Sequence, residues 1–298
     1  MRCVILIPAT LCFLGTLLHA DDPNTVLVFP GANGRESYFT LHNIAQAQNI
    51  SRGRGIRVGI LDHSFGVRLH PTLYAGARNF AKGGEAYLME REWHGYWMAT
   101  VLHEIAPEAD VYALNVVVFD DPPATVTAIS DAVDWAIEQR LHVLTYSQEA
   151  VGGQARRVLD AALDRAHKAG IGTAFIHCSH PGNIMPSGLW GGTDDGREPD
   201  VNVLHYDYTV VWIERCRQVL SENKPWRQAF LSVSSTAPVV GGVLALMKAV
   251  KPDLSPSQCK QILRETAHPL AFEGETAPRA LDAAAALDVL QRGWPARR

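Results

Sequence analysis

Between residues 56 and 176 the chain alternates short β-branched runs with longer stretches of helical periodicity, and this rhythm restricts the fold more than any other feature. Residues 56–61, 109–118, 143–147 and 171–176 are short runs rich in apolar residues, which suits parallel strands covered by helices on either side. Between them, Met98, Val101, Leu102 and Ile105 fall at helical spacing. So do Ile129, Val133, Ala136 and Ile137 after the Pro122-Pro123 turn, and Val158, Leu159, Ala162, Leu163 and Ala166 before the stop at Gly170. The expected class is therefore α/β, with a mostly parallel sheet flanked by helices on both faces.

A second constraint lies nearer the C-terminus. Residues 239–250 are too apolar to face water and follow the small-residue turn Ser232-Val233-Ser234-Ser235-Thr236-Ala237-Pro238. Gly241 and Gly242 lower helix propensity, so their expected use is to let neighbouring backbone approach closely. A hydroxyl at the head of such a helix sits beside unpaired N–H groups and the positive end of the dipole. An enzyme would place there a nucleophile that generates an oxyanion; from this stretch alone, capping of a core helix is the commoner role. Past residue 176 come the turn-rich His177-Cys178-Ser179-His180-Pro181-Gly182-Asn183, an acidic loop over residues 191–200 and a strand over 201–211. His177 and His180 are a histidine pair for which the sequence places no third metal ligand. A capping box, Ser255-Pro256-Ser257-Gln258, opens a helix to about Ala267, and residues 280–290 read as a closing alanine-rich helix.

Residues 1–20 read as a secretory signal: Met1-Arg2, an apolar stretch over residues 4–18, then Leu18-His19-Ala20, with cleavage expected after Ala20 and retention as an uncleaved membrane anchor as the alternative. Residues 21–36 are a short polar arm, and residues 37–298 form one domain with a sizeable core. Secretion or export to the periplasm is the expected location. A net charge of −4 gives no reason to expect nucleic acid or an anionic membrane as partner. Of five cysteines, Cys3 and Cys12 leave with the signal; Cys178, Cys216 and Cys259 show neither a disulfide framework nor a zinc spacing.

Three residues can be read together. Asp62 ends a strand, on the edge where α/β proteins place their sites. His94 opens a helix, and Ser234 heads the buried one. Ser supplies a nucleophile, His takes and returns its proton, and Asp fixes the His tautomer and stabilises the imidazolium. The order Asp, His, Ser is that of the subtilisin framework.

With these residues in place the chain resembles the subtilase family of serine peptidases, over residues 37–291. Val58-Gly59-Ile60-Leu61-Asp62 with His70-Pro71 is similar to the family's first motif, and His94-Gly95-Tyr96-Trp97-Met98-Ala99-Thr100-Val101 resembles its His-Gly-Thr-His-Val-Ala-Gly motif. Residues 232–242 resemble Gly-Thr-Ser-Met-Ala-Ser-Pro-His-Val-Ala-Gly, with Pro238 fixing the register on Ser234. The resemblance implies a three-layer subtilisin-like fold and a secreted endopeptidase acting on peptides or proteins through Asp62, His94 and Ser234. It also implies an oxyanion donor at His180 or Asn183 and a substrate-binding edge at Ser147, Gln148 and Glu149. No cofactor is expected; a structural calcium in the acidic loop would lack a clear motif. The chain departs from the family at His63-Ser64 after Asp62, at Tyr96-Trp97 after His94-Gly95, and at Ser232-Val233 before the nucleophile. Those departures motivate an alternative, a catalytically impaired pseudopeptidase that binds peptides or proteins.

Overall fold

The structure, a computed structural model, describes residues 4–6, 26–28, 39, 41–147, 152–188, 198–203, 233–272 and 275–294. Near the N-terminus β1 (Val4–Leu6) pairs in parallel with β2 (Val26–Val28), so part of the segment expected to be an irregular arm is strand. The main body begins with α1 (Ile44–Ile50), β3 (Arg57–Asp62), β4 (Gly76–Asn79), α2 (Glu85–Met89) and α3 (His94–Ile105). It continues through β5 (Asp110–Asn115), α4 (Pro122–Glu138), β6 (Val143–Tyr146), α5 (Gly153–Lys168) and β7 (Gly172–Phe175). Strands β4, β5, β3, β6 and β7 form, in that order, a five-stranded parallel sheet.

β3 lies at the centre, with Asp62 opposite Asn115 of β5 and Leu61 opposite Tyr146 of β6. Its side chains divide by the two-residue period of a strand. Val58 and Ile60 join one apolar cluster with Met98 and Leu102 of α3, while Leu61 joins another with Ile129 and Val133 of α4 and Leu163 of α5. Helices therefore cover both faces, as the sequence requires. β4 was not expected, because Gly76-Ala77-Arg78-Asn79 has no β-branched residue; it is an edge strand with its two middle residues exposed, where propensity matters least.

A smaller sheet runs β10-β11-β9-β8, built from β8 (Pro186–Gly188), β9 (Val201–Val203), β10 (His268–Phe272) and β11 (Glu275–Ala280). The β10–β11 pair is antiparallel and the other two pairs parallel, and a parallel bridge from Ala174 to Ile184 links this region to β7. Only residues 201–203 of the strand expected over 201–211 are described.

The helix of residues 239–250 is α6 (Thr236–Val250), and its side chains are buried on every side through Lys248. Its two glycines do permit close approach, but of neighbouring side chains rather than of backbone. A Cβ on Gly241 would lie 2.2 Å from Thr145 Cγ2 of β6, and one on Gly242 would lie 2.6 Å from Ile105 of α3. The capping box is formed: Gln258 N donates to Ser255 Oγ at 3.2 Å, Ser255 N donates to Gln258 Oε1 at 2.9 Å, and α7 spans Pro256–Thr266. The last helix, α8 (Ala283–Gln291), starts three residues later than the alanine pattern suggests, because Asp282 caps it by accepting from Ala285 N at 2.9 Å while Ala280 ends β11. Among the described residues no helix is long and apolar enough to cross a membrane. Cys178 and Cys259 are buried and free; Cys216 lies outside the described residues.

Candidate active site

The central strand carries Asp62 to the carboxyl edge of the sheet, where its side chain is wholly buried. Both carboxylate oxygens lie 2.8 Å from His94 Nδ1, and His63 N donates to Oδ1 at 2.8 Å. The start of α3 is fastened to the turn after β3: Gly95 N donates to His63 O at 2.8 Å and Trp93 N to Ser64 O at 2.8 Å. That close approach explains the residue following His94. A Cβ at position 95 would stand 2.6 Å from His63 O and 2.8 Å from the Phe65 ring, so glycine lets the helix start reach the strand end.

The electrostatics follow from this geometry. Burial disfavours the charged form of His94, but the Asp62 charge and hydrogen bond outweigh it and hold its pKa above the ordinary 6.5. For Asp62 burial pushes upward, while the His94 charge and hydrogen bond, then the His63 ring and its backbone N–H, bring the carboxyl below 3.8. The pair thus favours a carboxylate that orients and stabilises an imidazolium.

Ser234 lies in the 3-10 turn Val233–Ser235, which packs against α3 and leads directly into α6. Ser234 is half-buried, whereas Ser235 is fully buried, so of the two hydroxyls Ser234 is the accessible one. Among the described residues no hydrogen bond joins Ser234 to His94.

The residues expected to complete the site fare differently. Ser147 stands just past the end of β6, 4% exposed, its buried Oγ without a hydrogen-bond partner among the described residues. Gln148 and Glu149 lie outside the described residues. Asn183 is buried, and its amide is committed to the turn after β7: Nδ2 donates to Phe175 O at 3.0 Å and Cys178 O at 2.8 Å, while Oδ1 accepts from Phe175 N and Thr173 Oγ1. His180 is also engaged, with Nε2 3.2 Å from Asp164 on α5 and Nδ1 accepting from Gly182 N at 3.3 Å. Neither therefore presents a free donor to an oxyanion. The resemblance alone could not foresee this, because the turn passes through His177 in the left-handed region at φ 51° and Asn183 folds back onto β7.

One residue near the pair has a role the sequence reading did not assign. His63 is 6% exposed and its ring stacks on His94, centroids 5.7 Å apart at 18°. Its edges meet Phe119, Trp93 and Tyr87 at 5.0, 5.8 and 6.5 Å. Burial, with the His94 charge adding and the Asp62 charge opposing, lowers its pKa below 6.5. The only signal in the sequence is a histidine directly after the strand-ending aspartate. Among the described residues, Asp62, His63 and His94 are also the group whose donor atoms gather closely enough to hold an ion, all within 4.8 Å of one another. Among the described residues no such cluster forms around His177 and His180.

Comparison with known proteins agrees with this architecture. No protein-family model matches the chain. It is 26% identical over 247 residues to a thermostable alkaline protease of Halalkalibacterium halodurans, covering 76% of this chain and 66% of that protein. Against Subtilisin DY of Bacillus licheniformis it is 27% identical over 135 residues, covering 42% of this chain and 47% of that one. The match thus spans just under two thirds of one relative and about half of the other. The crystal structure of MycP1 from Mycobacterium smegmatis superposes with a TM-score of 0.61 at 17% identity, covering 84% of this chain and 83% of that one. The fold is subtilisin-like, and the chain's sequence relatives are serine proteases of the subtilase type, as the motifs implied.

Proposed function

We propose that this chain, with the fold and the sequence relatives of subtilisin-like serine proteases, is a secreted endopeptidase that cleaves peptide bonds with Asp62, His94 and Ser234. The observation that carries the reading is the buried Asp62–His94 pair at 2.8 Å, with the turn bearing Ser234 packed against the helix that His94 opens. In this mechanism His94 Nε2 takes the Ser234 proton as Oγ attacks the scissile carbonyl. The imidazolium then gives that proton to the leaving amine, and the acyl-enzyme is hydrolysed by the reverse sequence. Asp62 stays ionised and fixes the tautomer that leaves Nε2 free. The substrate chain lies along the edge at Ser147, Gln148 and Glu149. With Asn183 and His180 engaged elsewhere, the oxyanion falls to backbone N–H groups at the head of α6, beside the positive end of its dipole. Lacking a side-chain donor slows such an enzyme by about 10²- to 10³-fold.

That engagement of both expected donors also favours a second reading, a pseudopeptidase that binds peptides without cleaving them. A fluorophosphonate probe separates the two. Wild type labels and Ser234→Ala does not if the endopeptidase reading holds; correctly folded wild type that fails to label rules it out in favour of the binding module. Export follows from cleavage after Ala20, which N-terminal sequencing of the secreted protein checks.

A further inference from the structure

The family implied by the motifs needs only an Asp and a His at the head of its triad; this chain adds a third metal-binding side chain to them. Asp62, His63 and His94 offer one carboxylate oxygen and two imidazole nitrogens, all within 4.8 Å of one another. Two donors bound at zinc's usual distance of about 2.1 Å stand roughly 3.4 Å apart in a tetrahedron, so movements of about an ångström would close the set. The donors are chemically matched: imidazole with carboxylate suits zinc-like cations, whereas calcium and magnesium require shells of oxygen. Support around the ligands is present too. His63 Nδ1 lies 2.8 Å from Ser64 Oγ, which fixes the ring and leaves Nε2 as the nitrogen available to an ion. His63 N holds Asp62 Oδ1 from behind at 2.8 Å. Tyr87, Trp93 and Phe119 wall His63 with aromatic rings, while the His94 side chain is 18% exposed.

We infer that Asp62, His63 and His94 form a binding site for a zinc-like divalent cation, whose occupancy removes His94 from catalysis. The ion binds Nδ1 of the neutral His94 imidazole, whose one ring proton moves by exchange with solvent to Nε2, and a water molecule completes the tetrahedron. The ring is then held by metal instead of by the Asp62 hydrogen bond, and it can no longer cycle through an imidazolium. Binding is independent of the peptidase reading; the inhibitory consequence rests on it.

The full chain, purified without a polyhistidine tag, is titrated with Co²⁺ as a spectroscopic stand-in for zinc. Wild type and Ser234→Ala should each develop the intense visible absorption of one tetrahedral ion, displaced by Zn²⁺. His63→Thr, His63→Gln and His94→Ala, shown to be folded by circular dichroism, should lose it. A band that persists in the folded His63 variants, or none in folded wild type, overturns the site. In a second arm, zinc should suppress fluorophosphonate labelling of wild type, reversibly with a chelator, and leave any labelling of His63→Thr unaffected. Equal suppression in both proteins overturns the inference. If wild type does not label at all, the peptidase reading fails, and the cobalt titration alone decides the metal site.

Discussion

At the scale of single residues, the Asp62–His94 contact decides how the site responds to pH. His94 must be neutral to accept a proton, and its pKa is raised above 6.5, chiefly by the Asp62 charge set against burial. Peptidase activity should therefore rise with pH through a midpoint above 6.5, visible as the acid limb of kcat/KM. Asp62→Asn removes the charge that raises the pKa and breaks the tautomer preference. Activity should fall about 10⁴-fold, and the residual acid limb should move to lower pH; a limb that stays in place would mean that Asp62 does not set the His94 pKa. The Asp62–His94 contact was legible in the sequence because each residue is marked locally, by a strand end and a helix start. The surroundings of His63 were not. Tyr87, Trp93 and Phe119 reach it from separate segments, and no periodicity records such a meeting. Asn183 misled for a related reason: its type suits an oxyanion donor, but only the turn's path shows that its amide hydrogens are already taken.

At the scale of elements, α6 positions Ser234, and two glycines position α6. Replacing glycine by alanine in a helix ordinarily gains about 1 kcal/mol in propensity. In Gly242→Ala the new Cβ would stand 2.6 Å from Ile105, whose branched side chain is buried in the core, and overpacking of this kind costs about 1–3 kcal/mol. The clash should win, lowering the urea midpoint; a rise would show that α3 and α6 can separate cheaply. Gly241→Ala presses on Thr145 of β6 and should shift the head of α6 as well, so probe labelling should fall more than stability does. Another residue secures the far end of α6. Lys248 is 2% exposed, and its Nζ donates to Gly170 O at 3.0 Å and Leu254 O at 2.7 Å, joining α6 to the starts of β7 and α7. Lys248→Met keeps most of the buried stem but leaves two carbonyls without that donor. Relief of the buried ammonium offsets part of the loss, so the expected destabilisation is about 1–3 kcal/mol in urea unfolding. The sequence marked α6 as buried but not this lysine, since one cation near the end of an apolar run reads as a solvated tip.

At the scale of the whole molecule, local patterns gave the alternation of strands and helices but not the order β4-β5-β3-β6-β7, nor how the chain closes. Closure depends on a contact across 239 residues: His42 Nδ1 donates to Leu281 O at 2.9 Å, and Ala283 N donates to His42 O at 3.0 Å, tying the approach to α1 to the start of α8. His42 is fully buried, and burial lowers its pKa from 6.5 to about 4, against the smaller effect of its Leu281 hydrogen bond. Between those two values the unfolded chain binds a proton that the native chain does not, so stability rises with pH across the window and is lost as pH falls through it. His167, lowered to about 4 mainly by burial, acts in the same direction. Asp62, lowered from 3.8, extends the acid loss further down, whereas His94, raised above 6.5, makes stability decline gently on the alkaline side. His42→Asn isolates the closure, because an asparagine Nδ2 can replace the Nδ1–H donor without titrating. One proton over the interval from pH 6.5 to 5 corresponds to about 2 kcal/mol. Urea unfolding at pH 7 and pH 5 should show the variant losing about that much less than wild type on acidification. An identical loss in both proteins would mean that His42 protonates without opening the contact between the two ends of the fold.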